Sequence, residues 1–318
     1  MVLIKDKYGR EFKTLRVSLL SKCNLSCVYC TMGEDEVKEN NQHQHPANAQ
    51  SLLQHIQQLH NILNLETIRL TGGEPLLYHE LVALIRGIQK IGIKKIKLTT
   101  NGFLLERLAL PIKEAGLQSI NVSLDAIDED LFFLMSKRND VKRILEGIDI
   151  ALSAGLQVKI NAVIMKGMNE NQILPLLDFA FERNISIRFL EIMAMGYLHD
   201  NAAKYLFTQE EILNRIAEKY DFEKIERQSA STANYWKTSA GKTFGIIANE
   251  SEPFCHDCNR LRLDSNGNIY GCLSSNHPIA LNNNEDEAAL IGKLQQAMDQ
   301  KQSLKFTGSD LSMLHIGG

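Results

Sequence analysis

Apolar residues recur with two different periods between residue 14 and about residue 192. Six short segments alternate apolar and polar positions, which predicts β-strands, and the gaps between them carry the apolar spacing of amphipathic helices. The predicted strands cover residues 14–20, 67–71, 95–100, 119–125, 158–164 and 186–192. The predicted helices cover residues 49–63, 79–91, 104–115, 128–154 with a break near residues 137–140, and 170–183.

Alternating strands and helices of this kind predict an α/β fold in which right-handed crossovers join parallel strands. The six units are too few for a closed eight-stranded barrel, so we expect an open, partial (β/α)6 barrel of the TIM type. The regular alternation stops after Met193. We therefore expect a barrel over residues 1–193 and a C-terminal region over residues 194–318.

The C-terminal region begins with a clear helix signal and then becomes irregular. Thr208 is followed three residues later by Glu211, a capping-box pattern that predicts a helix over residues 208–220. The Ser- and Thr-rich stretch around Trp236 predicts an irregular excursion.

Each predicted strand has one polar face, although parallel strands covered on both sides are normally apolar throughout. A polar interior predicts a cavity that holds a polar ligand, and its basic side chains indicate an anion. The alternative is that the strands are half solvated and the charges face water. The polar positions are Arg16, Ser18, Arg69, Thr71, Lys97, Thr99, Asn101, Asn121, Ser123, Asp125, Lys159, Asn161 and Arg188.

Cys23, Cys27 and Cys30 follow the first predicted strand. Three thiolates on a short loop can hold three irons of a 4Fe–4S cluster and leave the fourth iron open for a small molecule. This spacing, with Tyr29 before the last cysteine, resembles the signature of radical S-adenosylmethionine enzymes. The alternatives are a zinc site with a distant fourth ligand, disulfides, or unrelated thiols.

A Gly-Gly-Glu-Pro turn ends the second predicted strand. Gly72 and Gly73 allow the backbone to approach a ligand closely, and the Glu74 carboxylate could accept hydrogen bonds from an ammonium group such as that of methionine. Alone, this motif is also typical of an ordinary strand-to-helix turn. Its position after the cysteine loop makes it a candidate cofactor site.

A second group of three cysteines, Cys255, Cys258 and Cys272, lies in the C-terminal region. Arg260 and Arg262 share one face of a strand with Cys258, which predicts an anion site suited to phosphates beside a metal cluster. Zinc is the alternative here, because His256 or His277 could supply a fourth ligand. Two solvent-facing arginines on an edge strand are the remaining alternative.

Composition narrows the class of protein further. The formal net charge of −3 gives no global basic field for nucleic acid.

We expect a cytoplasmic protein without a membrane span, because no apolar run approaches ~20 residues and no signal peptide is recognisable. Cysteines in such a chain indicate metal ligands or catalytic groups. Residues 33–50, with His43 and His45, predict a mobile connection without chemistry.

The two cysteine groups together make a resemblance specific. The chain resembles the GTP 3′,8-cyclase family of molybdenum-cofactor biosynthesis nearly end to end. The Asn-Arg-x-Arg segment at residues 259–262 and the terminal Gly317-Gly318 separate this family from other radical enzymes. The chain departs from the family pattern at Leu20-Ser21-Lys22, Thr31-Met32 and Tyr78-His79. None of these departures removes a cysteine, so we expect them to affect substrate affinity more than the class of reaction.

The resemblance implies two 4Fe–4S clusters, one on each cysteine group. It implies that the first binds S-adenosylmethionine and that the second faces GTP. The implied cofactor-binding residues are Tyr29, Gly72, Gly73, Glu74, Ser123 and Met193. The implied GTP-binding residues are Arg16, Arg69, Thr99, Lys159, Arg188, Arg260, Leu261 and Arg262. Arg260, Arg262, Gly317 and Gly318 are implied to take part in catalysis.

The reaction implied by the resemblance starts with a 5′-deoxyadenosyl radical that abstracts the ribose 3′ hydrogen of GTP. The resulting radical attacks guanine C8, and one further electron and a proton complete the cyclic product. The implied partners are an electron donor such as flavodoxin or ferredoxin and the next pathway enzyme, cyclic pyranopterin monophosphate synthase, with a homodimer as a further expectation. The alternatives are a radical peptide maturase with an auxiliary cluster and a zinc-stapled binding protein.

Overall fold

The computed structural model describes residues 4–31 and 48–317. His43, His45 and most of the predicted connection over residues 33–50 lie outside the described residues, as does Gly318.

The six predicted strands form the centre of one sheet, where they are parallel and pair in chain order. They are β1 Thr14–Ser18, β2 Thr67–Thr71, β3 Lys95–Thr100, β4 Ser119–Ser123, β5 Gln157–Ile164 and β6 Ser186–Glu191. This order confirms the open, partial barrel, because β1 and β6 each pair with further strands instead of closing on each other.

The crossover helices also lie where the apolar spacing placed them. They are α1 Ala49–Leu63, α2 Leu81–Ile91, α3 Leu105–Glu114, α4 Glu129–Ser136, α5 Val141–Ser153 and α6 Ile173–Glu182. The predicted break between α4 and α5 is confirmed. It occurs because Lys137 and Asp140 adopt positive φ angles of 57° and 83°, which no helix can contain.

Strands from the C-terminal region extend the sheet at both edges. β9 Thr243–Ile247 lies parallel to β6 and continues into the antiparallel strands β8 Asn234–Thr238 and β7 Phe222–Ile225. At the other edge, β10 Arg260–Leu263 lies parallel to β1, followed by β11 Asn268–Tyr270 and β12 Ile279–Ala280. The boundary at residues 193/194 therefore crosses a continuous sheet, and the division into two regions stays a prediction.

The remaining helices are α7 Gln209–Ala217, α8 Glu287–Asp299 and α9 Met313–Ile316. The capping box of α7 is confirmed, with Thr208 and Glu211 bonded reciprocally. The prediction of an irregular excursion around Trp236 was wrong. Trp236 lies in β8 and stacks on Phe244 at 5.7 Å, but its inward-facing neighbours on the strand are Asn234 and Thr238, so the buried face did not look apolar.

The apolar positions of the six parallel strands pack against the helices. They form one continuous core with the crossover helices, so the opposite, polar face of each strand is turned to the interior of the open barrel. The fully buried residues at the predicted apolar positions are Val17, Ile68, Leu98, Val122, Ile160 and Ile187. Among the described residues, no helix is long and apolar enough to cross a membrane.

Candidate active site

A cavity of about 530 Å³ opens inside the partial barrel, and every one of the six parallel strands contributes polar side chains to its wall. Both cysteine groups line this same cavity. The polar strand faces therefore enclose one space, as the first of the two interpretations of the alternation predicted. The lining includes Arg16, Arg69, Thr99, Asn121, Ser123, Asn161 and Arg188 from the strands.

The first cysteine loop is fixed against the C-terminal end of α4. Backbone N–H groups of Ser26 and Val28 donate to the carbonyls of Ser136 and Met135 at 3.0 and 2.9 Å. Within the loop, the N–H of Cys30 donates to the carbonyl of Cys27 at 2.8 Å. This tight turn brings Cys23, Cys27 and Cys30 to one side of the cavity.

The surroundings of the first thiols fit ligands of an iron–sulfur cluster. The Leu25 N–H lies 3.4 Å from Cys23 Sγ and the Asn101 Nδ2 lies 3.7 Å from it, and such donors stabilise a metal-bound thiolate. Burial raises the pKa of Cys23 to about 11 and raises the pKa of Cys27 still more clearly. A metal can remove these protons, because a coordinating thiol binds as the thiolate.

Two arginines that do not line the cavity hold the second cysteine loop in place. Arg10 donates to the carbonyl of Cys255 at 2.8 Å. Arg227 forms a two-pronged ion pair with Asp257, between the two cysteines of the motif, at 2.9 and 2.8 Å. These partners are distant in sequence, and the cysteine pattern alone did not point to them.

The thiols of the second group lie in a more positive environment than those of the first. Burial alone would raise the pKa of Cys258, but the charges of Arg260 and Lys301 override it and lower this pKa to about 5. Arg260 Nε and Lys301 Nζ lie 3.4 and 3.2 Å from Cys258 Sγ. Ser274 Oγ lies 3.2 Å from Cys272 Sγ. Cys258 is thus prepared to bind a metal as a thiolate, whereas burial and the two neighbouring thiols raise the pKa of Cys255 to about 11.

Neither of the two histidines that could complete a zinc site lines the cavity that holds the second cysteines. His256 and His277 are both exposed and lie outside the cavity lining. Among the described residues, no group of three or more His, Cys, Asp or Glu side chains is arranged around a single metal ion.

The Gly-Gly-Glu-Pro turn packs against the chain that leads into the first cysteine loop. Gly73 N–H donates to the carbonyl of Leu20 at 2.7 Å, and Glu74 N–H donates to the carbonyl of Lys22 at 2.8 Å. A side chain at Gly73 would overlap the Lys22 carbonyl. The glycines therefore serve backbone-to-backbone packing as well as lining the cavity.

Glu74 lies behind the cavity wall, unlike the other predicted cofactor-binding residues. Its oxygens accept hydrogen bonds from Leu76 N–H, Thr100 Oγ1 and Asn101 N–H at 2.9, 2.7 and 2.7 Å. Burial raises its pKa to about 7. Glu74 thus positions the ends of β2 and β3. The other predicted cofactor-binding residues, Tyr29, Gly72, Gly73, Ser123 and Met193, line the cavity.

Two buried carboxylates at strand ends position the cavity wall. Asp125 accepts a hydrogen bond from the Tyr29 hydroxyl at 2.7 Å and one from Val163 N–H at 2.8 Å, and burial raises its pKa to about 6. Glu191 accepts bonds from the N–H groups of Gln209 and Glu250, both at 2.8 Å. Asp125 follows the end of β4 and Glu191 ends β6. Asp125 was among the predicted polar positions, and the matching place of Glu191 at a strand end could have identified it from the sequence.

Strand register places cations in a row across four adjacent strands. Arg262 of β10 pairs with Arg16 of β1, which pairs with Arg69 of β2, which pairs with Lys97 of β3. Burial lowers the pKa of Arg16 strongly, and the neighbouring charges of Arg262 and Arg69 act in the same direction. Like charges in directly opposite positions destabilise a sheet, so this row favours a bound polyanion.

Further arginine groups in the cavity lack a partner within the described part of the chain. Arg188 Nη2 and Arg260 Nη2 are buried without a hydrogen bond, although Arg188 Nε is bonded to Asn161 at 2.9 Å. Buried charged donors without a partner are costly, which again favours an anionic ligand.

Two predicted GTP-binding residues lie outside the lining. Lys159 lies beside it, with Nζ 5.9 Å from the ring centre of Tyr235, and Tyr235 does line the cavity. Leu261 is fully buried in the core, so it can offer only its backbone. Its backbone pairs with that of Leu15, and this pairing of β10 with β1 positions Arg260 and Arg262.

The C-terminal segment crosses the cavity and contacts both motifs. Ser312 Oγ donates to the carbonyl of Cys30 at 3.1 Å, and Arg262 Nη1 donates to the carbonyl of Gly317. Gly317 has a φ of 69°, and a side chain there would overlap Thr71 Cγ2. Gly317 therefore lies beside the cavity, while Gly318 is outside the described residues.

Residues 17–180 match the Radical SAM superfamily, and residues 185–306 match the Molybdenum Cofactor Synthesis C family. The structure of anSMEcpe with bound AdoMet is similar at a TM-score of 0.65 and 14% identity, covering 90% of this chain and 81% of that one. The structure of Streptococcus suis SuiB bound to S-adenosylmethionine is similar at a TM-score of 0.62 and 17% identity, covering 90% of this chain and 68% of SuiB. The fold and the first cysteine loop thus define a radical S-adenosylmethionine enzyme.

Curated sequences narrow the class further. The GTP 3′,8-cyclase of Staphylococcus carnosus (strain TM300) is 39% identical over 285 residues, covering 86% of this chain and 82% of the relative. The GTP 3′,8-cyclase of Synechocystis sp. is 37% identical over 278 residues, covering 87% and 84%. The chain therefore belongs to the GTP 3′,8-cyclase family. Its cofactors are accordingly 4Fe–4S clusters and S-adenosylmethionine, which the thiol surroundings described above fit.

The metal content gives a direct prediction. Because each group of three cysteines can supply three ligands to one cluster, anaerobically reconstituted protein should contain about eight irons per chain, with the broad absorbance near 400 nm of iron–sulfur proteins. Iron and zinc are measured together by elemental analysis. Stoichiometric zinc with little iron would contradict the assignment.

Proposed function

We propose that this protein converts GTP to (8S)-3′,8-cyclo-7,8-dihydroguanosine 5′-triphosphate, with 5′-deoxyadenosine and methionine as co-products, the first step of molybdenum-cofactor biosynthesis. The observation that carries the proposal is that both cysteine groups line one cavity together with a row of arginines. The names of the relatives with 37–39% identity support the same activity. A likeness to the peptide-bound SuiB structure at 16% identity supports the fold alone, so it does not favour a peptide maturase.

With the clusters and S-adenosylmethionine bound, reductive cleavage would supply the 5′-deoxyadenosyl radical that takes the ribose 3′ hydrogen, and the bond from the 3′ carbon to guanine C8 would be completed by one further electron and a proton. The residues of the chain bind, orient and enclose the reactants. Arg16, Arg69, Arg188 and Arg260 provide cations in the cavity wall for the triphosphate. Asp125 holds Tyr29 at the first cysteine loop, where we propose that Tyr29 contacts S-adenosylmethionine.

The remaining assignments belong to the same proposal. Gly72, Gly73, Ser123 and Met193 complete the cofactor side of the cavity, and Thr99 and Lys159 complete the GTP side. Arg262 and the Gly317-Gly318 tail act as one unit near the substrate, a role supported by the hydrogen bond from the arginine to the Gly317 carbonyl. Glu74 is assigned here as a positioning residue, since its carboxylate lies behind the wall.

Partners outside the cavity follow from the reaction. The cleavage needs an external electron, so we propose a flavodoxin or ferredoxin as donor. The triphosphate product requires the next pathway enzyme, cyclic pyranopterin monophosphate synthase, as its acceptor. A cytoplasmic location and a homodimer are part of the same proposal.

One anaerobic incubation tests the proposed activity. Reconstituted protein is mixed with S-adenosylmethionine, dithionite and GTP, and the products are separated and weighed by mass spectrometry. We expect 5′-deoxyadenosine and a cyclised product with the mass of GTP. A parallel incubation with ATP in place of GTP is the substrate control. Formation of 5′-deoxyadenosine while GTP is recovered unchanged would contradict the proposal.

The buried arginines give a prediction about binding. Arg260→Ala and Arg188→Ala should each weaken GTP binding by roughly 1.5–3 kcal/mol, because each removes a charge-assisted hydrogen bond. Anaerobic calorimetry measures the dissociation constant. Arg86→Ala on the exposed face of α2 is the matched control and should bind as the parent does. Parent-like affinity in both cavity variants would show that the cavity is not a polyanion site.

A further inference from the structure

Lys301 is a buried cation that the family pattern of the sequence did not identify. It follows α8 and is only 6% exposed. Its Nζ lies 3.2 Å from Cys258 Sγ and 2.8 Å from the carbonyl oxygen of Arg260, and 5.4 Å from the ring centre of Phe12. Lys301 also lines the cavity. An ammonium group held at three sides in this way has a fixed position and direction.

The contacts of Lys301 make the two cysteine groups electrostatically unequal. In the second group, Cys258 Sγ is close to two full positive charges, those of Lys301 and Arg260. In the first group, the donors close to Cys23 Sγ are the neutral amides of Leu25 and Asn101. Lys301 also donates to the carbonyl of Arg260, the first residue of β10. It therefore holds the strand that carries the Arg260 charge close to Cys258 Sγ.

We propose that Lys301 is a positioning residue for the second cluster and raises the reduction potential of that cluster through its charged hydrogen bond to the Cys258 thiolate. The proposal rests on the assignment of a cluster to Cys255, Cys258 and Cys272 under the proposed function. Adding an electron makes a cluster more negative, so a cation at a ligand sulfur stabilises the reduced state. Hydrogen bonds with a charged donor are about twice as strong as neutral ones.

Lys301 also connects the second cluster to the substrate side of the cavity. Its bond to the Arg260 backbone fixes the start of β10, and Arg260 presents an unpartnered guanidinium nitrogen to the cavity within the described structure. Loss of Lys301 should therefore change the potential of the cluster and the position of one GTP-binding arginine together. A residue with a purely structural role would not move the potential.

The test isolates the second cluster. In a Cys23→Ala/Cys27→Ala/Cys30→Ala background, anaerobic reconstitution should leave about four irons per chain, all on the second group. The midpoint potential is then measured by redox titration followed by electron paramagnetic resonance. Lys301→Met should lower it relative to the background protein, whereas Lys301→Arg should keep it close to the background value. Lys305→Met, an exposed lysine four residues away, is the matched control and should not change it.

The outcomes separate the two levels of the proposal. An unchanged midpoint in Lys301→Met, with full iron, would overturn the role of Lys301 while leaving the cluster assignment intact. A background protein without iron would overturn the cluster assignment itself, and this inference with it. If Lys301→Met loses its cluster, Lys301→Gln is titrated instead, because it retains a neutral donor. It should show a smaller fall, and an unchanged value would again overturn the proposal.

Discussion

We expect Cys27→Ala to abolish reductive cleavage of S-adenosylmethionine, while Cys258→Ala retains part of this cleavage and loses the cyclised product. Cys27 lies in the loop assigned to the cluster that binds the cofactor, and Cys258 lies across the same cavity with the basic residues assigned to GTP. Removing a ligand from the first group should stop both steps, because cyclisation needs the radical that cleavage produces, whereas removing one from the second group should stop cyclisation alone. The loss in each case should exceed about a hundredfold, since a missing ligand removes the group rather than weakening one contact.

Two readouts distinguish these effects. Production of 5′-deoxyadenosine reports cleavage, and chromatographic separation of the cyclised product from unreacted GTP, which has the same mass, reports cyclisation. Iron should fall to about four per chain in both variants, with unchanged circular dichroism. Ser26→Ala, in the same loop but not a candidate ligand, is the control for general disturbance of the loop. Equal loss of cleavage in the two folded cysteine variants would contradict the division of labour between the clusters.

The barrel was predictable because each of its elements has a strong local period. The bounds of β2 and β3 agree with the predicted segments at residues 67–71 and 95–100, and α1 agrees with residues 49–63. These segments repeat the same apolar spacing over whole elements. The same was not true of β8, in which Asn234 and Thr238 occupy buried positions and hide the apolar face.

Strand pairing across the chain was beyond the reach of local patterns. Arg16 and Arg262 are opposite each other because β10 returns to the edge of β1. Their separate presence on polar strand faces was visible in the sequence, but their adjacency depends on register between distant segments. Lys301 was missed for a similar reason, because a single lysine after a helix carries no signal until the fold brings it to Cys258.

In the Gly-Gly-Glu-Pro turn, the sequence predicted the place of the two glycines but not the hydrogen bonds of the glutamate. Its position in the cavity was predicted, and Gly72 and Gly73 do line the cavity. The Glu74 carboxylate was expected to accept hydrogen bonds from an ammonium group; this stays a prediction, and in the structure the carboxylate accepts three hydrogen bonds from its own neighbourhood. A motif locates a site reliably, whereas the direction of a side chain depends on local hydrogen bonds that compete for it.

Removal of Gly317 and Gly318 should abolish cyclisation while both clusters and the fold remain. Gly317 lies beside Thr71 and accepts a hydrogen bond from Arg262, so this residue has a defined place next to the cavity. We expect at least about a hundredfold loss of cyclised product, because a displaced group near reacting atoms costs this much. Iron content, melting temperature and the amount of product are measured on the same preparation. Unchanged turnover would mean that the tail is only a frayed end.

A double-mutant cycle then decides whether the tail and Arg262 act together. Because Arg262 Nη1 donates to the Gly317 carbonyl, Arg262→Ala should reproduce the defect of the deletion, and combining the two should add little. Gly317→Ala should also impair cyclisation, since its side chain would overlap Thr71. Gly241→Ala has a similar φ of 80° with open space around it, so it controls for backbone strain alone. Fully additive losses would instead mean that Arg262 acts on the substrate independently of the tail.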